Sequence, residues 1–277
     1  MAPLEKPPIS RARDLRRSDR ASRVSGWPAD TLEVIAGDAA LDDIERFRYS
    51  IYVAEQEKPL PAADHQARRL PDADDAAALH FCVRNSARTL VGYARMHYAK
   101  SIPAVTVNRL GLADLLGQAP QSLGFISKLM VDKSLRGRTN AVRLIMTMIQ
   151  HGCDRFREAE GAVFHCCSEL VPLYTRMGFR PFGRPFVDPH VGLQIPMVAI
   201  FRDLEHFQLC GSPIAALVET LPPPVETSTR FRNYFLEQRC FQRDVPAPLH
   251  SPLLAGFRKP RAELTARGAL DACIKLA

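Results

Sequence analysis

The stretch Ser127–Ile145, SKLMVDKSLRGRTNAVRLI, joins two kinds of chain. It begins as an apolar run suited to a buried strand and ends as the start of a helix. Between them lie Lys133, Arg136, Arg138 and Arg143, together with Gly137, Thr139, Asn140 and Ala141. A helix N-terminus presents unpaired N–H groups and the positive end of a dipole. Small residues just before it let an anion approach the backbone. Arg136-Gly137-Arg138-Thr139-Asn140-Ala141 is therefore a candidate phosphate or pyrophosphate site. The competing reading is a solvated turn whose arginines face water.

Three further stretches hold side chains with chemical reach: FRYSIYVAE at Phe47–Glu55, LVGYARM at Leu90–Met96 and VPLYTRMGFR at Val171–Arg180. Glu55, Glu57 and His165 are the candidate proton acceptors, with solvated loop or sheet positions as the alternative for each. Ser127 has no Ser-His-Asp setting around it, so it is not expected to act as a nucleophile. His165-Cys166-Cys167 reads as an apolar strand that uses cysteine as a small hydrophobe rather than as metal ligands. No metal site is expected.

The elements that must carry these residues follow from periodicity. Short strands are expected at Thr31–Ala36, Leu79–Val83, Thr89–Tyr98, Phe125–Val131, Ala162–Cys167 and Gln194–Phe201. Helices are expected over Ala40–Gln56, Thr139–Ala159 and Val171–Met177, the last closed by Gly178 as a left-handed cap. Lys58–Asp75, with three prolines and several aspartates, reads as a long loop. Ser101–Gln121 is a mixed, partly helical connection. The order predicts an α/β fold with one mixed, mainly antiparallel central sheet flanked by helices. After Leu204 the texture changes. Leu204–Glu219 and Phe231–Phe241 are expected as helices of a C-terminal appendage. The expected organisation is a disordered basic tail at 1–29, a domain at 30–203 and an extension at 204–277.

Composition narrows the function classes. The chain has 277 residues, 46% hydrophobic, enough for a sizeable core. Its net charge of +7 comes from its ends: residues 1–23 contribute +4 and residues 258–277 contribute +3. The span between is neutral, and no aromatic-basic motif accompanies it, so nucleic acid is not an expected partner. No run reaches the roughly 18 apolar residues of a membrane helix, and no secretory h-region opens the chain. Seven scattered cysteines without C-x-x-C spacing suit free thiols in a reducing cytoplasm.

Arg136 and Ala141 after a strand, followed by Tyr174, Gly178 and Phe179 after the next, resemble the GNAT acyltransferase superfamily. The first set is similar to its pyrophosphate loop, (Q/R)-x-x-G-x-(G/A), with Thr139 at the place of the central glycine. The second is similar to its Y-x-x-x-G-F segment. Arg48, Tyr52 and Arg95 add a resemblance to the acyl-homoserine-lactone synthases and the related N-acyl amino acid synthases. The tryptophan of the lactone synthases is missing, since Trp27 stands alone in the tail. Phe125 and Lys128 replace the Glu and Arg of their E-x-S-R signature, while Ser127 is kept. These departures, with the long C-terminal segment, lean toward N-acyl amino acid synthesis.

The resemblance implies two splayed central strands, with a pantetheine arm paired to the fourth, at Leu129, Met130 and Val131. It implies that Tyr174 protonates a leaving thiolate or packs under the loop. Arg48 and Arg95 would clamp a carboxylate, or else pair with the acidic loop at Asp64–Asp75. Tyr52, Phe125, Ser127, Lys128 and His165 would line the acyl and acceptor pocket. The expected reaction moves a medium or long acyl chain onto the amine of an amino-acid-like acceptor. The donor would be acyl-CoA or acyl carrier protein, as a substrate rather than a resident cofactor. Basic residues 133–143 would suit an acidic carrier partner. The alternatives are a CoA-dependent acetyltransferase of small amines and a non-catalytic acyl-thioester sensor.

Overall fold

The computed structural model describes residues 31–36, 41–118, 123–136, 140–155, 159–221 and 226–236. Strand β1 (Thr31–Ala36) leads to helix α1 (Leu41–Tyr49), which runs on as a π-helical turn at Ser50–Glu55. After the long loop come β2 (Leu79–Arg84) and β3 (Leu90–Tyr98), then the short helices α2 (Ala104–Arg109) and α3 (Ala113–Gln118). Strand β4 (Leu123–Val131), helix α4 (Asn140–Arg155) and strand β5 (Gly161–Cys166) form the centre. Helix α5 (Val171–Arg176) is followed by β6 (Arg180–Pro181), β7 (Phe186–Asp188) and β8 (Gly192–Ile200). Three helices close the described chain: α6 (Leu204–Leu209), α7 (Ala215–Val218) and α8 (Glu226–Leu236).

The strands form one sheet in the order β1-β2-β3-β4-β5-β8-β6, with β7 also paired to β8. Every pairing is antiparallel except β4 with β5. This is the mixed, mainly antiparallel sheet that the periodicity predicts. Successive strand residues face opposite sides, so each strand feeds two cores. Phe81, Ala94, Met96, Ala162, Phe164, Met197 and Ala199 pack with α4 and with Leu173, Phe207 and Ile214. Phe125, Val163, Val198 and Ile200 pack on the other face with Leu112, Phe231 and Phe235. Ile44, Phe47 and Ile51 of the first helical segment cover Cys82, Tyr93 and Met130.

Several boundaries differ from the expectations. The helix expected over Ala40–Gln56 widens after Tyr49. There the Ser50 hydroxyl bonds to the Phe47 carbonyl at 2.8 Å, and the Gln56 N–H reaches five residues back to Ile51 at 3.0 Å. The helix expected over Leu204–Glu219 is two, because Gly211 takes φ +61 and Pro213 lacks an N–H. Helix α8 starts earlier than Phe231, which sets Phe231 and Phe235 one turn apart on its buried face. Strands β6 and β7, of two and three residues, are too short to show alternation. The described helices after residue 203 pack into both main cores rather than standing away from them. The expected basic tail at 1–29 and residues 237–277 lie outside the described residues.

Gly178 shows why the Y-x-x-x-G-F segment needs its glycine. It takes φ +89 at the end of α5, and a Cβ there would lie 2.3 Å from the Phe207 ring of α6. Gly178→Ala therefore combines a left-handed backbone with overpacking, each costing about 1–3 kcal/mol. Urea unfolding is expected to show a loss of about 2–4 kcal/mol. A change below about 0.5 kcal/mol would contradict this packing.

Candidate active site

The central feature is a parting of two strands. β4 pairs with β5 only through Leu123↔Gly161, Gly124↔Ala162 and Phe125↔Val163. From Ile126 to Val131 no described strand pairs with β4 on that side. On its other side, β4 holds an extra residue between the pairs Arg95↔Ser127 and Tyr93↔Met130. That bulge turns on Lys128, which takes φ +57. The open edge contains Leu129, Met130 and Val131. Ser127 on β4 and His165 on β5 stand level on the two arms, each two residues past the last paired position.

Five charged groups are packed beside this edge. The Arg48 Nη2 donates to both oxygens of Asp75 (3.0 and 2.9 Å), and its Nη1 donates to the Leu70 carbonyl at 2.9 Å. Arg95 bonds Asp75 at 2.8 Å, Asp72 at 3.0 Å and the Ser127 hydroxyl at 3.1 Å. Lys128 meets the second oxygen of Asp72 at 3.1 Å. Arg48, Asp75 and Arg95 are buried. Both arginines therefore have the protein's own carboxylates in the place where a substrate carboxylate was expected. Burial opposes the Asp72 charge, but Lys128 and Arg95 beside it hold its carboxyl well below the usual range.

Tyr52 lies at the rim, with the Lys58 ammonium 4.6 Å and the Lys128 ammonium 5.8 Å from its ring centroid. Burial pushes the Tyr52 phenol up to about 12. Lys58 makes no ion pair among the described residues, and burial pulls its pKa down. Phe125 stands between two imidazoles, 6.3 Å from His97 and 6.1 Å from His165 between centroids. Tyr174 projects on the opposite face, its ring 4.4 Å from Phe164. Burial, with Cys166 and Cys167 nearby, raises its phenol pKa and keeps it protonated.

The expected anion loop is only partly described. Gly137, Arg138 and Thr139 lie outside the described residues. Asn140 and Ala141 begin α4, and the Asn140 amide donates to the Leu135 carbonyl at 3.2 Å. Arg136 is engaged: its Nε donates to the Val131 carbonyl at 2.9 Å, and its fork clasps both oxygens of Glu55. That clasp lowers the Glu55 pKa and leaves Glu55 a weak proton acceptor. Glu57 is exposed, with φ +51. Cys166 is buried in the α4-side core, and no group of three or more His, Cys, Asp or Glu that could hold a metal occurs among the described residues. On the α4 side, Met96, Ile126, Met148, Ile149 and Gly152 line an apolar cavity of about 10 Å³.

The alternative reading of Arg48 and Arg95, pairing with the acidic loop at Asp64–Asp75, is the one the structure shows, with Asp72 and Asp75 as the partners; sequence reasoning missed His80 and His97 as site residues. His97 could have been found, because it lies two residues after Arg95 and so shares its face. Its Nε2–H donates to the Asp74 carbonyl at 2.9 Å, and its Nδ1 is buried without a partner among the described residues. The two aspartates are partners only through the fold.

This splayed sheet, with a bulged fourth strand and ionisable groups around the gap, is the GNAT-like fold that the motifs imply. The match to the family model for the N-acyl amino acid synthase FeeM covers residues 43–203, and the chain belongs to that family. It is an N-acyltransferase that draws on an acyl thioester donor. Two solved structures share the fold. One is FeeM, an N-acyl amino acid synthase from uncultured soil microbes. It has 14% identity over 69% of this chain and 99% of that one, with a TM-score of 0.50. The other is BjaI, a CoA-dependent acyl-homoserine lactone synthase solved with SAM and isopentyl-CoA. It has 16% identity over 73% of this chain and 99% of that one, with a TM-score of 0.51. No curated protein matches the chain. No described helix is long and apolar enough to cross a membrane.

The ion-pair cluster has a stability signature. Asp75→Asn leaves two buried guanidinium groups short of charge and is expected to cost about 3–5 kcal/mol in urea unfolding. A loss under about 1 kcal/mol would mean the cluster contributes little to folding.

The buried imidazoles predict acid lability. Burial depresses the pKa values of His80 and His97 below the ordinary value of about 6.5. The unfolded chain then takes up protons that the folded chain refuses, so stability falls as pH drops below about 6.5 toward the folded values. Each histidine contributes up to about 1.4 kcal/mol per pH unit in that window. Unfolding midpoints at pH 7.5 and 5.5 should differ clearly, with the lower value at pH 5.5.

Proposed function

We propose that the protein joins a medium or long acyl group, carried as a phosphopantetheine thioester, to the amino group of an amino-acid acceptor. The observation that carries this reading is the open edge of β4 from Ile126 to Val131. An extended pantetheine arm can pair there as a missing strand would. Leu129, Met130 and Val131 supply that edge. Arg136, Asn140 and Ala141 stand at its outer end, with Gly137, Arg138 and Thr139 between them in the chain, to receive the donor's phosphate. Arriving phosphate competes with Glu55 for Arg136.

The acceptor enters on the α1 side, among Tyr52, Phe125, Ser127, Lys128 and His165. Lys128 and the unpaired Lys58 suit its carboxylate, while Arg48 and Arg95 hold the loop that bounds the site. His165 takes a proton from the acceptor's ammonium, and the freed amine attacks the thioester carbonyl carbon. Backbone N–H groups along the open edge of β4 serve the developing oxyanion. Collapse breaks the C–S bond, and Tyr174 protonates the departing thiolate. The nitrogen sheds two protons overall: one ends on the thiol and one in solvent. Lys133, Arg136, Arg138 and Arg143 suit docking of an acidic carrier protein as donor. Free thiols at Cys82, Cys153, Cys166, Cys167 and Cys210 suit a reducing cytoplasm.

Purified protein incubated with acyl carrier thioesters, long-chain acyl-CoA or acetyl-CoA, and with a panel of amino acids, tests the reading by mass spectrometry. N-acyl amino acids are expected from a long-chain donor. Product from acetyl-CoA alone would favour the acetyltransferase alternative. Thioester binding without product from any donor would favour a sensor. Tyr174→Phe is expected to slow turnover about 10- to 100-fold with little change in donor KM.

A further inference from the structure

Gln194 on β8 has a fixed amide. Its Nε2 donates to the carbonyls of Val191 and Leu193, at 3.2 and 3.1 Å, and the side chain is buried. Reversing the amide would set its oxygen against two carbonyl oxygens, so the orientation follows from the network. The Gln194 Oε1 is therefore the atom that faces His165 Nδ1, at 3.0 Å. An amide oxygen only accepts. Hence His165 carries its hydrogen on Nδ1. Its Nε2 keeps a lone pair and has no protein partner among the described residues.

The surroundings support that neutral form. The imidazole packs 6.1 Å from the Phe125 ring and 5.2 Å from the Phe186 ring. Burial pulls its pKa down, and the hydrogen bond it donates to Gln194 raises it less. The charged groups that act on it are Arg109 of α2, Asp188 of β7 and Lys128 of β4. Arg109 is itself held across Phe186, 5.0 Å from the ring centroid, and bonds Asp188 at 3.4 Å. Two cations against one carboxylate disfavour imidazolium.

We propose that Gln194 is a positioning residue that locks His165 in the Nδ1–H tautomer, so that Nε2 stands ready to take the proton from the acceptor ammonium. This rests on His165 being the proton acceptor. The role differs from packing, because it depends on which atom of the amide faces the ring.

The test uses the full chain with Gln194→Leu, Gln194→Glu and His165→Ala. Nitrogen NMR of the histidine rings reads the tautomer without any substrate. The wild type is expected to show a protonated Nδ1 and a bare Nε2 at pH 7.5. Gln194→Leu should lose that preference and lower kcat about 10- to 100-fold, with acceptor KM little changed. Gln194→Glu loses the two donations to Val191 and Leu193, so its kcat should also fall, but its carboxylate should keep the hydrogen on Nδ1 and move the acidic limb of its pH profile to higher pH, because a carboxylate favours imidazolium. An unchanged tautomer in Gln194→Leu, or an unmoved acidic limb in Gln194→Glu, overturns the proposal. A changed tautomer in Gln194→Leu together with full activity in His165→Ala overturns instead the reading of His165 as proton acceptor, while leaving Gln194's hold on the ring intact. Should Gln194→Leu not fold, the limb in Gln194→Glu decides.

Discussion

The rest of the site depends on one failure of pairing. β4 and β5 run parallel for three residue pairs and then separate at Phe125 and Val163. Backbone N–H and C=O groups strongly favour partners when removed from water, so an edge left open in the middle of a sheet has to be held open. The bulge at Lys128 does part of this on the β3 side, and its left-handed backbone costs roughly 1–3 kcal/mol for a residue with a side chain. The Asp72 ion pair and the Tyr52 ring give that side chain a place that offsets the strain.

The buried charges provide the second constraint. Arg48 comes from α1, Arg95 from β3 and Lys128 from β4, while Asp72 and Asp75 come from the long loop. One network therefore fixes four segments that are far apart in sequence. Apolar residues of the same volume could pack as stably. They could not hold the loop at a set distance from the gap, since hydrophobic contact has no preferred direction. The loop supplies the carbonyls that fix the imidazoles of His80 and His97.

Legibility in the sequence tracked the range of each interaction. Local rules were enough for Gly178, whose left-handed turn follows from the end of a short helix, and for β2, β3, β4, β5 and β8, whose largely apolar runs are long enough to stand out. The family motifs led to Tyr52, Arg95, Ser127 and Tyr174 without telling which face each would take. Tyr174 lies on the α4 side and Tyr52 on the α1 side. What stayed hidden was non-local. For Arg48 and Arg95 the sequence left two readings, a bound carboxylate or the acidic loop at Asp64–Asp75, and the fold selects the loop and picks out Asp72 and Asp75 within it. Gln194 reads as an ordinary strand residue until β8 pairs with β5 and brings its amide oxygen to His165 Nδ1.

Gly161 opens β5 at the closed end of the gap, where a Cβ would lie 2.4 Å from the Ala199 carbonyl and 2.7 Å from the Phe231 ring. The floor of the cleft is thus finished by α8, some 70 residues after the glycine it covers, where 70 is about the separation of positions 161 and 231. On a ribosome, the two parallel strands emerge well before the ring that seals them. Until that helix arrives, Leu123 and Val163 lack part of their cover, so the closed end of the parting between β4 and β5 acquires its base only when translation has nearly passed the last described helix.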